Sequence, residues 1–313
     1  MSCGSRTERR VKFKSLDVQS LWRAVSRSAR KELGARSVCE IPWYEQYETG
    51  YHCLASTLGR AYRKPAQGEL ECIRELIARR ANPTGSLTVA DCLFLTAFVS
   101  IVRPDRIMEI GTGSGFSSAL LACAIHLQRR DSFAFSVDTL DAHATYFADP
   151  QLPIGFEISN LIPVFAQSVR IHAPRESNFV ASLAEKDELE LAFIDGNHQH
   201  PCPLLDVLRI APYVRGGGWV LLHDIRLGSL VEASRRRGVS LAYEALFGAE
   251  WLFDEWPWDK IDAGNIGAIQ LPADKKALLR PTRKLLNLPF EVCERSYPRM
   301  RKEISDAARV CAQ

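Results

Sequence analysis

From about residue 88 the chain alternates short, nearly continuous apolar runs with segments of helical spacing. The runs "RIMEI" (106–110), "FAFSVD" (133–138), "LIPVF" (161–165), "LELAFID" (189–195) and "GWVLLHD" (218–224) read as strands buried on both faces. Between them, "GFSSALLACAIHLQ" (115–128) and "HPCPLLDVLRIAPYVRGG" (200–217) repeat apolar residues at helical intervals, the second starting at Pro201 and stopping at Gly216. Five such repeats in order predict an α/β fold, a mostly parallel sheet with helices on both faces. A helix is expected over 230–247. The runs "WLFDEWPW" (251–258) and "GNIGAIQLP" (264–272) follow with no helix between them, which predicts an antiparallel hairpin at the sheet edge.

These periods divide the chain into a basic arm or helix (1–36), a helical cap (37–87), the α/β domain (88–272) and a helical extension (273–313). Charge sharpens the first boundary: residues 1–36 carry ten basic and three acidic residues, a net +7 in a chain of net +3, leaving the remainder at −4. A nucleic-acid footprint over the main domain is therefore not expected. The arm contains acids and lacks the apolar stretch of a secretory signal, and no run reaches the roughly 18 apolar residues of a membrane span. Nine scattered cysteines without a C-x-x-C read as buried thiols of a reducing, cytoplasmic protein.

The first run leads into "EIGTGSGFSS". Glycines at the carboxyl end of the first strand of an open α/β sheet let the backbone pass close to a ligand, and the next helix offers its N-terminal N–H groups. A dinucleotide turn requires a third glycine where this chain has Phe116, and Glu109 would repel a pyrophosphate while suiting an ammonium group. The pattern E-x-G-x-G-x-G resembles the first motif of class I S-adenosylmethionine-dependent methyltransferases, which implies a Rossmann-like fold and that sulfonium cofactor. On this resemblance the cofactor-binding residues are Glu109, Gly111, Thr112, Gly113 and Gly115, with Ser117 at the helix N-terminus for the cofactor carboxylate. An acid closing the second strand suits the ribose hydroxyls: Asp138 is the first choice and Asp141 the alternative. The family also commonly places adenine contacts after the third strand, where this chain has Gln167 and Ser168.

The stretch "FIDGNHQHPCPLLDVLRIAPYVRGGGWVLLHD" is similar to the strand-four to strand-five unit of the catechol-type and macrolide-sugar O-methyltransferases. It places Asp195 and Asp224 at adjacent strand ends, where two carboxylates suit a divalent cation such as Mg²⁺. His223 is the neighbouring third donor, softer than Mg²⁺ prefers, and Ile225 on the other side cannot ligate. Three residues beyond Asp195, at the family's general-base spacing, stands His198; His200 is the competing base. Asp195 would also orient a base if no metal binds. The resemblance thus implies methyl transfer to a hydroxyl of a small molecule, an aromatic or sugar-like natural product of secondary metabolism. A homodimer is compatible with it. The competing readings are a metal-independent site, an RNA-directed methyltransferase gripping phosphate through the arm, and another enzyme on the same scaffold.

Overall fold

A computed structural model describes residues 43–63, 67–81, 87–128, 137–227, 237–247 and 265–313. The basic arm and the Trp-rich run at 251–258 lie outside the described residues.

Among the described residues three helices precede the sheet: α1 (Trp43–Thr57), α2 (Gln67–Arg79) and α3 (Val89–Val102). The last is apolar on every side and almost wholly buried. Thr88 and Asp91 form a capping box at its start, and Arg103 ends it in the left-handed conformation, φ 54°. The sheet then assembles from β1 (Ile107–Ile110), β2 (Val137–Leu140), β3 (Val169–His172), β4 (Leu189–Ile194), β5 (Val214–His223) and β6 (Ile266–Gln270). Helix α4 (Phe116–Gln128) follows β1, the single turn α5 (Ile158–Leu161) precedes β3, and α6 (Cys202–Ile210) connects β4 to β5. Helices α7 (Gly238–Phe247), α8 (Leu279–Leu285) and α9 (Tyr297–Cys311) complete the described chain.

The strand order is β3-β2-β1-β4-β5-β6, all parallel except β6, which runs antiparallel to β5 at one edge. Alternation along the strands separates two cores. Ile107, Val137, Leu191, Phe193, Trp219 and Leu221 face α1–α5, whereas Met108, Ile110, Leu140, Ala192, Val220 and Leu222 face α6–α9. The direction of winding reverses between β1 and β4, and their carboxyl ends form the crevice in which an open α/β sheet binds ligands.

Two expected elements are corrected. "LIPVF" is not the third strand: Leu161 closes α5, and Ile162 and Phe165 bury themselves against the α4 side of the sheet. The strand is instead "VRIH", an edge strand buried only at Val169 and therefore lacking a continuous apolar signal. Strand β5 begins at Val214, four residues ahead of its expected start, so α6 ends at Ile210 rather than at Gly216. The glycines lie inside β5, next to the register irregularity between Leu189 and Leu191.

Candidate active site

The turn after β1 is built by glycines that no other residue replaces. Gly111 has φ 98°, and a Cβ there would lie 2.1 Å from the Asp195 carbonyl oxygen, so the β1 and β4 ends touch only because this side chain is absent. Gly115 has φ 92°, and a Cβ there would meet Ile158 Cγ1 at 2.6 Å. Gly113, φ 52°, is different: the nearest atom to its Cβ position is Tyr146 Cε2 at 3.9 Å, which leaves the turn's tip open. The turn is closed by Gly115 N–H donating to the Thr112 carbonyl at 2.8 Å, and the buried Thr112 hydroxyl shares a 2.7 Å hydrogen bond with Thr139. Phe116 opens α4 and packs into the core where a dinucleotide turn would need glycine.

Glu109 lies on β1, fully buried on the side facing α4, opposite Thr139 and Phe193 in the neighbouring strands. Ser118 of α4 donates to its Oε2. Its Oε1 is buried and has no hydrogen-bond partner among the described residues. Burial pushes the carboxyl up to about 7, against the opposing pull of the Ser117, Ser118 and Thr139 hydroxyls. A buried acid with one unmet oxygen, in the strand that leads into the open glycine turn, fits a ligand with a cationic amino-acid end.

The two remaining cofactor candidates are placed elsewhere. Strand β2 runs past Asp138 to Leu140, so Asp138 is not the strand-tip acid; it is fully buried within the sheet. Its carboxylate accepts from Arg106 Nε at 2.8 Å and lies 3.0 Å from Arg170 Nε and 2.9 Å from His172 Nε2. The acid at the tip is Asp141, which accepts from Gly113 N–H at 3.1 Å and from His143 N–H at 2.9 Å. Ser168 precedes β3 instead of following it. It therefore sits at the amino end of the parallel strands, away from the crevice, with its hydroxyl on the Phe165 carbonyl at 2.8 Å.

Across the switch point four of the candidate residues converge. Asp195, His198, His223 and Asp224 each offer one donor atom, all within 4.8 Å of one another. His198 Nε2 lies 3.4 Å from Asp195 Oδ1 and 3.2 Å from Asp224 Oδ2. His223 Nδ1 shares a 2.9 Å hydrogen bond with Asp195 Oδ1. Asp224 leaves β5 at φ 64°, a conformation that non-glycine residues adopt rarely, and Asn265 Nδ2 holds its Oδ1 at 2.5 Å.

Burial alone would push the His223 imidazole down, but Asp195 foremost, with Asp91 and Asp224, raises it well above its ordinary value. Asp195 is drawn down to about 2, its burial outweighed by His223 and His198. Two imidazoles and two carboxylates within this span fit a first-row divalent metal and form a softer donor set than Mg²⁺ prefers. A cation held by His223 would have to displace its proton.

Two members of this arrangement carry no motif. Asp91, fully buried on α3, points Oδ2 to His223 Nε2 at 3.5 Å and accepts from Asn265 N–H at 2.8 Å through Oδ1. It is also the capping acid of α3, paired with Thr88, and that local role gives no sign of the distant one. Asn265 gives no signal beyond preceding a strand. The alternative base His200 faces away: it is fully buried, its Nε2 is 3.1 Å from the Leu285 carbonyl oxygen, and its ring packs edge-on against Phe290.

Residues 108–225 match the family model described as "Methyltransferase domain". No curated protein matches the chain. Similar solved structures include a candidate O-methyltransferase from Klebsiella pneumoniae, at 21% identity and a TM-score of 0.46, covering 74% of this chain and 100% of the other. An O-methyltransferase from Bacillus cereus in complex with SAH has 17% identity and a TM-score of 0.42, covering 72% and 99%. The O-methyltransferase TomG from Streptomyces achromogenes, involved in tomaymycin synthesis and in complex with SAM, has 16% identity and a TM-score of 0.42, covering 73% and 98%.

Proposed function

We propose that the chain uses S-adenosylmethionine to methylate a hydroxyl of a small molecule, with His198 as general base. Two observations at neighbouring strand ends carry the reading: a glycine turn with an open tip that follows the buried Glu109, whose Oε1 is unmet, and the His198 imidazole between the Asp195 and Asp224 carboxylates.

Backbone groups of Gly111, Thr112, Gly113 and Gly115 line the cofactor. Glu109 takes its ammonium end, and Ser117 with the first turn of α4 takes its carboxylate. Asp141, rather than Asp138, takes the ribose hydroxyls. The bound cofactor supplies an electrophilic methyl group on a sulfonium whose sulfur leaves as a neutral thioether. His198 Nε2 removes the proton of the incoming hydroxyl, and the imidazolium so formed is stabilised by Asp195 and Asp224. No oxyanion accumulates at the leaving group, so the protein's largest contribution is to align the two reactants.

Asp195, Asp224 and His223 would hold a divalent cation, which lowers the pKa of a substrate hydroxyl. His198 presents the same Nε2 to the cluster that must accept the proton, so within this reading it acts as base rather than ligand.

Calorimetric titration with S-adenosylmethionine is expected to show binding to the wild-type chain and none to Gly113→Arg. Methyl transfer to a panel of phenols, sugars and aliphatic alcohols should fall about 100-fold or more in His198→Ala with cofactor affinity retained. Wild-type turnover in that variant would overturn the base assignment, and no titratable binding would overturn the cofactor. Activity that survives exhaustive chelation and ignores added Mn²⁺ or Mg²⁺ would remove the metal from the reading.

A further inference from the structure

Away from the crevice, Cys72 of α2 and Cys123 of α4 meet with their Sγ atoms 2.7 Å apart. Both side chains are buried, with 4% and 2% of their surface exposed. They belong to the core that joins the N-terminal helices to the helix leaving the glycine turn. The separation is well inside ordinary contact for two sulfur atoms, and about 2.05 Å is a bond. All seven described cysteines are free thiols.

We propose that Cys72 and Cys123 are a modification site: a small peroxide converts them to a disulfide that ties α2 to α4. Burial pushes the Cys72 thiol well above its ordinary range, so the closed fold holds Cys72 as a neutral thiol and the reaction proceeds when the two helices part locally. A thiolate then attacks one oxygen of hydrogen peroxide; that sulfur becomes a sulfenic acid, and the departing hydroxide leaves as water with the thiol's proton. The second thiol attacks the sulfenic sulfur, the S–S bond forms, and the hydroxyl leaves with the remaining proton as a second water. The two thiols lose two electrons and the peroxide gains them, so no further reactant is needed.

The bond would close a loop of about 50 residues that contains α3, β1 and the glycine turn, because the two cysteines are 51 positions apart. It would restrain the unfolded chain strongly without changing which elements are in contact.

The test uses the full chain, reduced and then exposed to hydrogen peroxide, with all remaining thiols alkylated in denaturant. Non-reducing peptide mapping is expected to find the Cys72 and Cys123 peptides linked, with the mass of the pair less two hydrogens. The melting temperature should rise by about 5–10 °C and return to its starting value on reduction. Cys123→Ser and Cys72→Ser should each lack the linked peptide and the reversible rise. If one variant fails to fold, the wild-type map and the other variant decide. Peroxide-treated wild type with both cysteines still alkylated, linked to other cysteines, or carried to sulfinic acid would overturn the proposal.

Discussion

At the scale of single residues, Glu109 concentrates the most testable electrostatics. Its carboxyl is raised to about 7 by burial, so between its ordinary value of 4.5 and about 7 the folded chain binds a proton that the unfolded chain has released. The sign follows: Glu109 makes the cofactor-free protein lose stability as pH rises through this window, with a ceiling of about 3 kcal/mol from the size of the shift. Glu109→Gln cannot titrate. Thermal melts of both proteins from pH 4.5 to 8 are therefore expected to show the variant gaining on the wild type as pH rises, with the difference levelling off above pH 7; a constant difference would reject the raised carboxyl. A ligand ammonium beside the unmet Oε1 reverses the preference and favours the ionised acid. S-adenosylmethionine affinity of the wild type should accordingly increase as pH rises through 7, and that of Glu109→Gln should be weaker and nearly flat.

At the scale of elements, the crevice depends on where strands stop and on a helix that contributes no motif. Helix α3 directs Asp91 under the β5 end, where the acid faces His223 and accepts from the backbone of Asn265, whose side chain in turn holds Asp224. Removing this buried charge leaves an imidazolium with one fewer counter-ion, so Asp91→Asn should cost about 3 kcal/mol at neutral pH. The wild-type imidazole, raised above its unfolded value, contributes stability that is present at low pH and lost as pH rises through the folded value. In Asp91→Asn that loss should begin at a lower pH, visible in melts between pH 6 and 10; an unchanged alkaline limb would show that Asp91 acts only as a helix cap.

The strands β1, β4 and β5 were legible because burial on both faces writes a continuous apolar run, and the convergence of Asp195, His198, His223 and Asp224 followed from acids and imidazoles placed at their ends. Strand β3 was not legible, since an edge strand needs no such run, and the error displaced Ser168 to the wrong end of the sheet. Asp138 was misread because an acid ending an apolar run looks like a strand tip, whereas Arg106, Arg170 and His172 allow β2 to carry that acid inside the sheet. Asp91 and Asn265 were invisible for a different reason: their partners are 132 and 41 positions away, at His223 and Asp224, and no local pattern encodes them.

At the scale of the molecule, the helices before residue 88 are continuous with the core of the sheet. Tyr47, Tyr51 and Leu54 of α1 and Leu70, Ile73 and Leu76 of α2 are all at most 4% exposed and lie in the cluster that covers the α4 side. At about 1.5–3 kcal/mol for each fully buried large side chain, these six account for roughly 10 kcal/mol or more, against a total stability of about 5–15 kcal/mol for a typical domain. The exit of α2 also reaches the glycine turn: Ala81 N–H donates to Glu157 Oε1 at 2.7 Å, and the other Glu157 oxygen accepts from Ser114 at 2.9 Å. A fragment of residues 88–313 would expose one side of α3 and α4 and leave Glu157 without its Ala81 contact. That fragment should therefore show no cooperative thermal transition, bind a hydrophobic dye and fail to bind S-adenosylmethionine even though it retains the whole stretch from 108 to 225. A fragment that melts cooperatively and binds the cofactor as tightly as the full chain would show instead that the helices are a detachable layer and that the sheet is stable without them.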